Sequence, residues 1–158
     1  MEPTIKSLPA RTVVGLGAKF ISILSPKANN FEVIPRLWHE FVNRQDEIAA
    51  RKNNNESLGC VWCLEGMHEL YYFAGVEVTT AADAPAGMEV REIPAGRHAV
   101  FVHKGSLDTL GQTMNYIHGT WFPASGYQKR DAPEVEVYGP KFDLGSADSE
   151  LEICIPIG

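Results

Sequence analysis

The chain has no apolar run approaching the ~20 residues that a membrane-spanning helix needs. Its first residues, MEPTIKSLPAR, lack a charged start followed by an apolar stretch, so no secretory leader is read there. Basic clusters are missing too. With 14 Lys and Arg against 20 Asp and Glu, the formal net charge is −6, which is not the electrostatic footprint of a nucleic-acid binder. Cysteine is scarce: three, an odd number, argue against a disulfide framework and fit a reducing cytoplasm. The CVWC pair (60–63) has no second pair with which to complete a four-ligand zinc site, and in a strand its two sulfurs point to opposite faces. The five histidines show no ligand spacing, and no G-x-S-x-G nucleophile elbow is present. GLGAKF (15–20) is too short and wrongly placed to cradle a phosphate. These absences lead to the expectation of a cytoplasmic protein with no metal, no cofactor, no direct nucleic-acid partner and no membrane contact.

What is present is enough for one packed core: 158 residues, 44% hydrophobic and 22% charged. Two stretches resemble each other. IKSLPARTVVGLGAKF (5–20) and VREIPAGRHAVFVHKG (90–105) align without gaps, and each reads as a strand, a proline bend and a second strand. After the first, Ile34, Leu37, Trp38 and Phe41 recur at helical spacing, and Pro35 places the helix start close to itself. After the second, Ser106 is a candidate N-cap, Leu107, Leu110, Met114, Ile117 and Trp121 form a stripe, and Pro123 marks the end. Two strand-like runs follow each helix: 57–64 and 69–78, then 133–140 and 149–157. The chain therefore reads as two strand-helix-strand-strand halves, 1–80 and 88–158, joined by TTAADAPAGM (79–88). The expected architecture is α+β: two main helices on a mostly antiparallel sheet.

Alternation in the last strand puts Leu151, Ile153 and Ile155 on one face, and Glu150, Glu152 and Cys154 on the other. PEVEVYGP repeats the pattern. If Val135 and Val137 face the helices, Glu136 and Tyr138 share a face with Glu152. Matching the closing strands of the two halves sets Tyr71 against Glu152. These glutamates either lie on a wet sheet face or look into a cleft. Trp62, Tyr71, Phe73, Tyr127 and Tyr138 favour the cleft, because large aromatics left in water cost about 1.5–3 kcal/mol each. A hollow of aromatic rings with an acid suits an organic cation, and an acid in such a hollow has a raised pKa until the cation arrives.

The ordered set IPRLWHEF, YFAGVEV, IPAGRHAVFVHKG, WFPASGY, EVY and LEICIPI resembles the gyrase-inhibitor-like family, the effector-binding domain of AraC-type multidrug regulators. The resemblance covers essentially the whole chain. It implies two fused halves enclosing a cleft for bulky, often cationic drugs and dyes, with a buried glutamate meeting the charge. The family's acidic positions fall on Glu136 and Glu152, and Trp62, Tyr71, Phe73 and Tyr127 are its candidate aromatic wall. Cys154 stands where an aromatic often follows LEI. The resemblance also implies a stand-alone member without the regulators' helix-turn-helix module, similar to drug-binding proteins of mobile gene cassettes.

The leading expectation is a binding protein for amphipathic cations, with Glu152 or Glu136 as counter-charge and no catalytic residue. A hydrolase of strained electrophiles would use the same glutamate as general base. A third reading is an interaction module whose partner is DNA gyrase or a transcription regulator.

Overall fold

The computed structural model describes residues 1–158 apart from 65, 67, 82 and 83, so two residues of the expected link (79–88) lie outside the described residues. The first half forms β1 (Thr4–Leu8), β2 (Arg11–Ile21), α1 (Asn30–Arg44), β3 (Ser57–Cys63) and β4 (Glu69–Glu77). The second forms β5 (Glu89–Ile93), β6 (Gly96–Lys104), α2 (Leu110–Tyr116), a short α3 (Phe122–Ser125), β7 (Glu134–Tyr138) and β8 (Glu150–Pro156).

Both helices depart from expectation at a proline. α1 begins at Asn30, five residues ahead of Pro35. Pro35 is exposed, so the one helical hydrogen bond it removes lies on the solvent side. In the second half, Ser106 caps a 3-10 turn (Leu107–Thr109) by accepting from the Asp108 N–H. A π turn (Ile117–Trp121) then links α2 to α3. Pro123 sits inside the first turn of α3, where its missing N–H is tolerated, and the segment ends at Gly126, whose φ of 79° suits glycine.

Every strand pair is antiparallel, and the eight-stranded order is β1-β6-β8-β7-β3-β4-β2-β5. Exchanging β1 with β5, β2 with β6, β3 with β7 and β4 with β8 reverses this order and leaves it otherwise unchanged. A pseudo-two-fold axis therefore passes between β3 and β7. The outermost strands are exchanged: β1 pairs with β6 of the other half, and β5 with β2.

The sheet is apolar on both faces. On one face, α1 covers Val14, Leu16, Tyr72, Ala74 and Val76, while the α2–α3 segment covers Ala99, Phe101, Leu151, Ile153 and Ile155. The other face holds its own cluster, including Val13, Leu58, Cys60, Phe73, Val135, Val137 and Cys154. Leu8 at one edge of the sheet and Ile93 at the other line one small hollow there, so the sheet curls toward this face as a half-barrel. The two helices stand on the outer face on either side of the axis, leaving a central cleft whose floor is β3 and β7. No helix among the described residues is long and apolar enough to cross a membrane.

Candidate functional site

The cleft floor is set by one cross-strand pair. Gly59 of β3 is opposite Glu136 of β7, with Leu58 opposite Val137 and Cys60 opposite Val135. Gly17 pairs with Phe73, and Val102, its counterpart in the second half, pairs with Glu152. Cys60 in turn pairs with Phe73, and Val137 with Glu152. Following these ladders, Gly59 and Glu136 are equivalent positions in the two halves. One half supplies an acid on the axis, and the other supplies the space beside it. A Cβ on Gly59 would overlap the Tyr72 hydroxyl and lie 2.7 Å from Glu136 Oε1.

Aromatic side chains surround the acid. The Tyr72 hydroxyl donates to Glu136 Oε1 at 2.7 Å, and the Tyr138 hydroxyl donates to the same oxygen at 3.1 Å. Trp38 Nε1–H, from α1, donates to the Tyr72 hydroxyl at 2.9 Å. The Trp38 ring meets Tyr138 edge-on at 5.1 Å, and Tyr138 meets Phe142 edge-on at 4.8 Å. Phe31, Pro35 and Val42 share the helix face of Trp38 by their spacing of four, three and four residues. Phe31 is 78% exposed and Val42 53%, so this apolar stripe of α1 is largely unburied.

Two carboxylates on β7 sit in opposite electrostatic settings. Burial pushes the Glu136 carboxyl above its ordinary value, the tyrosine hydrogen bonds oppose this, and the negative charge of Glu134 adds to the rise. Burial also pushes Glu134 upward, but there it is outweighed. His118 Nε2 at 2.7 Å and Lys129 Nζ at 3.6 Å hold Glu134 below the ordinary carboxylate value. Burial and the neighbouring acid keep the Tyr72 and Tyr138 phenols well above theirs, so both remain neutral donors. Glu134 is thus held toward its anion, while burial pushes Glu136 toward its neutral form. No group of three metal-ligating side chains occurs among the described residues.

Of the residues singled out from the sequence, Glu136 and Tyr138 meet on this floor. Tyr127 lies on the same sheet face, stacked on Trp121 at 6.1 Å with Arg97 over its ring. Glu152 is on the opposite face, half-buried between Val102 and Val137. Trp62, Tyr71 and Phe73 are also on that opposite face. Three expectations are therefore corrected. Val135 and Val137 face the inside of the half-barrel and not the helices. Glu136 and Glu152 do not share a face, because Glu136 pairs with Ile153 and Val137 with Glu152. Finally, the register makes Phe73, not Tyr71, the counterpart of Glu152; a slip of two residues preserves the face and leaves no trace in an alternating pattern.

Trp38 enters the sequence reading only as part of a helix stripe, and Tyr72 and Gly59 are not among its site residues. Their signals were present but weak. Trp38 and Tyr72 are polar-tipped aromatics within apolar stripes, where a buried N–H or O–H requires a partner. Gly59 is a glycine inside a strand, a mark of close approach by another group.

The curled eight-stranded sheet with a helix on either side of its pseudo-axis defines an α+β fold with a central cleft. The whole chain, residues 1–158, matches the GyrI-like small molecule binding domain and belongs to that family. It is 30% identical over 128 residues to the transcriptional regulator BrlR of Pseudomonas aeruginosa, covering 80% of this chain and 47% of BrlR. The chain therefore spans about half the length of that relative. SAV2435, solved bound to tetraphenylphosphonium, has a TM-score of 0.80 at 21% identity, over 100% of this chain and 94% of that one. EcmrR, solved in a complex with DNA, has a TM-score of 0.68 at 19% identity, over 99% of this chain and 57% of that one. The likeness to these two structures is one of fold. The expectation of no nucleic-acid contact rests on the acidic charge and on the lack of a helix-turn-helix module, whereas EcmrR, a protein carrying this fold over 57% of its chain, is solved in complex with DNA.

Proposed function

We propose that the domain binds a bulky, apolar organic cation in the cleft between α1 and α2–α3, with Glu136 as its counter-charge. The supporting observation is the carboxylate on the pseudo-axis, pushed toward its neutral form by burial and surrounded by Trp38, Tyr72 and Tyr138. π-faces and an ionised acid in a partly desolvated hollow both favour a positive guest. The Trp38 ring fills the space beside Tyr138, so a guest takes its place by moving Trp38 aside. Tetraphenylphosphonium, the ligand of SAV2435, has the right chemistry for a probe. Its affinity is expected to fall about tenfold or more, at least ~1.4 kcal/mol, in Glu136→Gln. Glu152→Gln, altered on the other face, is expected to bind like wild type. Equal affinity in wild type and Glu136→Gln removes the proposed role.

The raised carboxyl also suits a general base acting on water beside a strained electrophile, the hydrolase reading. Mass spectrometry of a panel of such electrophiles incubated with the protein separates the two: water-added products lost in Glu136→Gln support turnover. The likeness to BrlR, a transcriptional regulator, supports a role for this binding in transcription regulation, in a cytoplasmic setting.

A further inference from the structure

Arg91 occupies an aromatic box on the sheet face turned away from both helices. Its Cζ lies 4.0 Å from the ring centroid of Tyr71, 4.9 Å from Trp62 and 6.0 Å from Phe73. The rings meet edge-on, Trp62 with Tyr71 and Trp62 with Phe73, each at 6.3 Å. Glu89 adds an acid: its carboxylate is 3.7 Å from Arg91 Nε and accepts the Tyr71 hydroxyl. Burial and this acid push the Tyr71 phenol up to about 12, so it stays a donor.

The box spans three strands, β3, β4 and β5, although β2 lies between β4 and β5. Gly17 of β2 makes that reach workable, since a Cβ there would overlap the Tyr71 hydroxyl. Three π-faces and a carboxylate around one flat cation form a recognition site for organic cations. It opens to solvent: Arg91 and Glu89 are 33% and 45% exposed. β5 ends the sheet and pairs only with β2, so Arg91 can swing out without unpairing a second strand.

We propose that this box is a second organic-cation site, for guanidinium or methylated ammonium groups, which Arg91 keeps closed by sitting in it as a tethered occupant. An outside cation competes with a side chain that never leaves the neighbourhood. Its apparent affinity is therefore reduced by the fraction of time Arg91 spends outside the box. The intact protein then takes one cation per chain, and removal of Arg91 raises this to two. The box does not depend on Glu136, which lies on the opposite face.

N-methylguanidinium chloride titrated into the full chain tests this, with sodium chloride as control. The indole N–H resonance of Trp62 reports the box, and that of Trp38 reports the Glu136 site. In Arg91→Ala, the Trp62 resonance is expected to shift saturably, with a dissociation constant at least about tenfold below that of wild type. Arg91→Lys, which keeps a cation in place, is expected to behave like wild type, and adding Tyr71→Leu to Arg91→Ala is expected to abolish the response. If Arg91→Ala is unfolded alone, N-methylguanidinium, but not sodium chloride, is expected to restore its circular dichroism. Equal affinity in wild type and Arg91→Ala overturns the proposal. So does a response matched by sodium chloride, or an unfolded variant that the probe does not rescue. Shifts confined to Trp38 overturn it while leaving the Glu136 reading intact.

Discussion

Gly59 and Glu136 face each other across the seam between the two halves, and they are also each other's counterparts under the pseudo-two-fold relation. A symmetric pair of large side chains cannot occupy that spot. The acid and its tyrosine donor use the space that a side chain at Gly59 would fill.

Gly59→Ala is therefore expected to displace Tyr72 and Glu136 together. Overpacking of a set core costs about 1–3 kcal/mol. Urea unfolding should show that loss, and tetraphenylphosphonium affinity should fall alongside it. An alanine variant of wild-type stability and affinity would show that the seam has slack.

The pH dependence follows from the raised Glu136 carboxyl. When the folded value exceeds the unfolded one, the stability contribution is full below the ordinary carboxylate value of 4.5 and is lost as pH rises through the folded value. The empty wild-type protein is thus expected to lose stability relative to Glu136→Gln over that rise, leaving Glu136→Gln at least as stable at neutral pH. Cation affinity is expected to run the other way, increasing with pH over the same interval because only the anion attracts the guest. Calorimetric titrations in buffers of different ionisation enthalpy should detect proton release on binding at the low end of the interval.

Glu134 has the opposite sign. Its folded value is lowered, so its contribution is present above the ordinary carboxylate value and is lost as pH falls through the lower folded one. Glu134→Gln is expected to destabilise the protein at neutral pH. His118→Ala is expected to cost less than about 1 kcal/mol, because His118 is 42% exposed and solvent screens the pair. Thermal unfolding of the two variants at several pH values checks both expectations.

The thiols are expected to separate by reactivity. Cys60 and Cys154 are buried, and burial pushes both upward, Cys154 to about 12, whereas Cys63 is exposed. A thiol reagent such as DTNB should titrate one cysteine per native chain and all three after denaturation. Fast reaction of a second native thiol would mean that the inner face of the half-barrel opens.

The strands and helices were readable because each has a clear period. The stretches around Leu8 and Ile93 are separated by the same interval as β1 from β5 and β2 from β6. The side of the sheet was not readable. EVEVY has two faces on paper, and apolar Val135 and Val137 suggest the helix side. A curled sheet, however, buries both faces, so valines fill its inside while Glu136 and Tyr138 stand under the helices. For the same reason Trp62, Tyr71 and Phe73 gathered around Arg91 and not around Glu136. Which tyrosine of the YYF run meets the acid depends on β3–β4 register, a long-range property with no local signature.

The exchanged outer strands make the chain a clasp. Each half hands its first strand to the other, so neither can finish its own sheet from its own sequence. A backbone cut between Thr79 and Met88 would leave two pieces gripping each other through the two exchanged edge ladders as well as the central seam. Such fragments should travel together as a complex, and neither should hold its shape once the other is taken away.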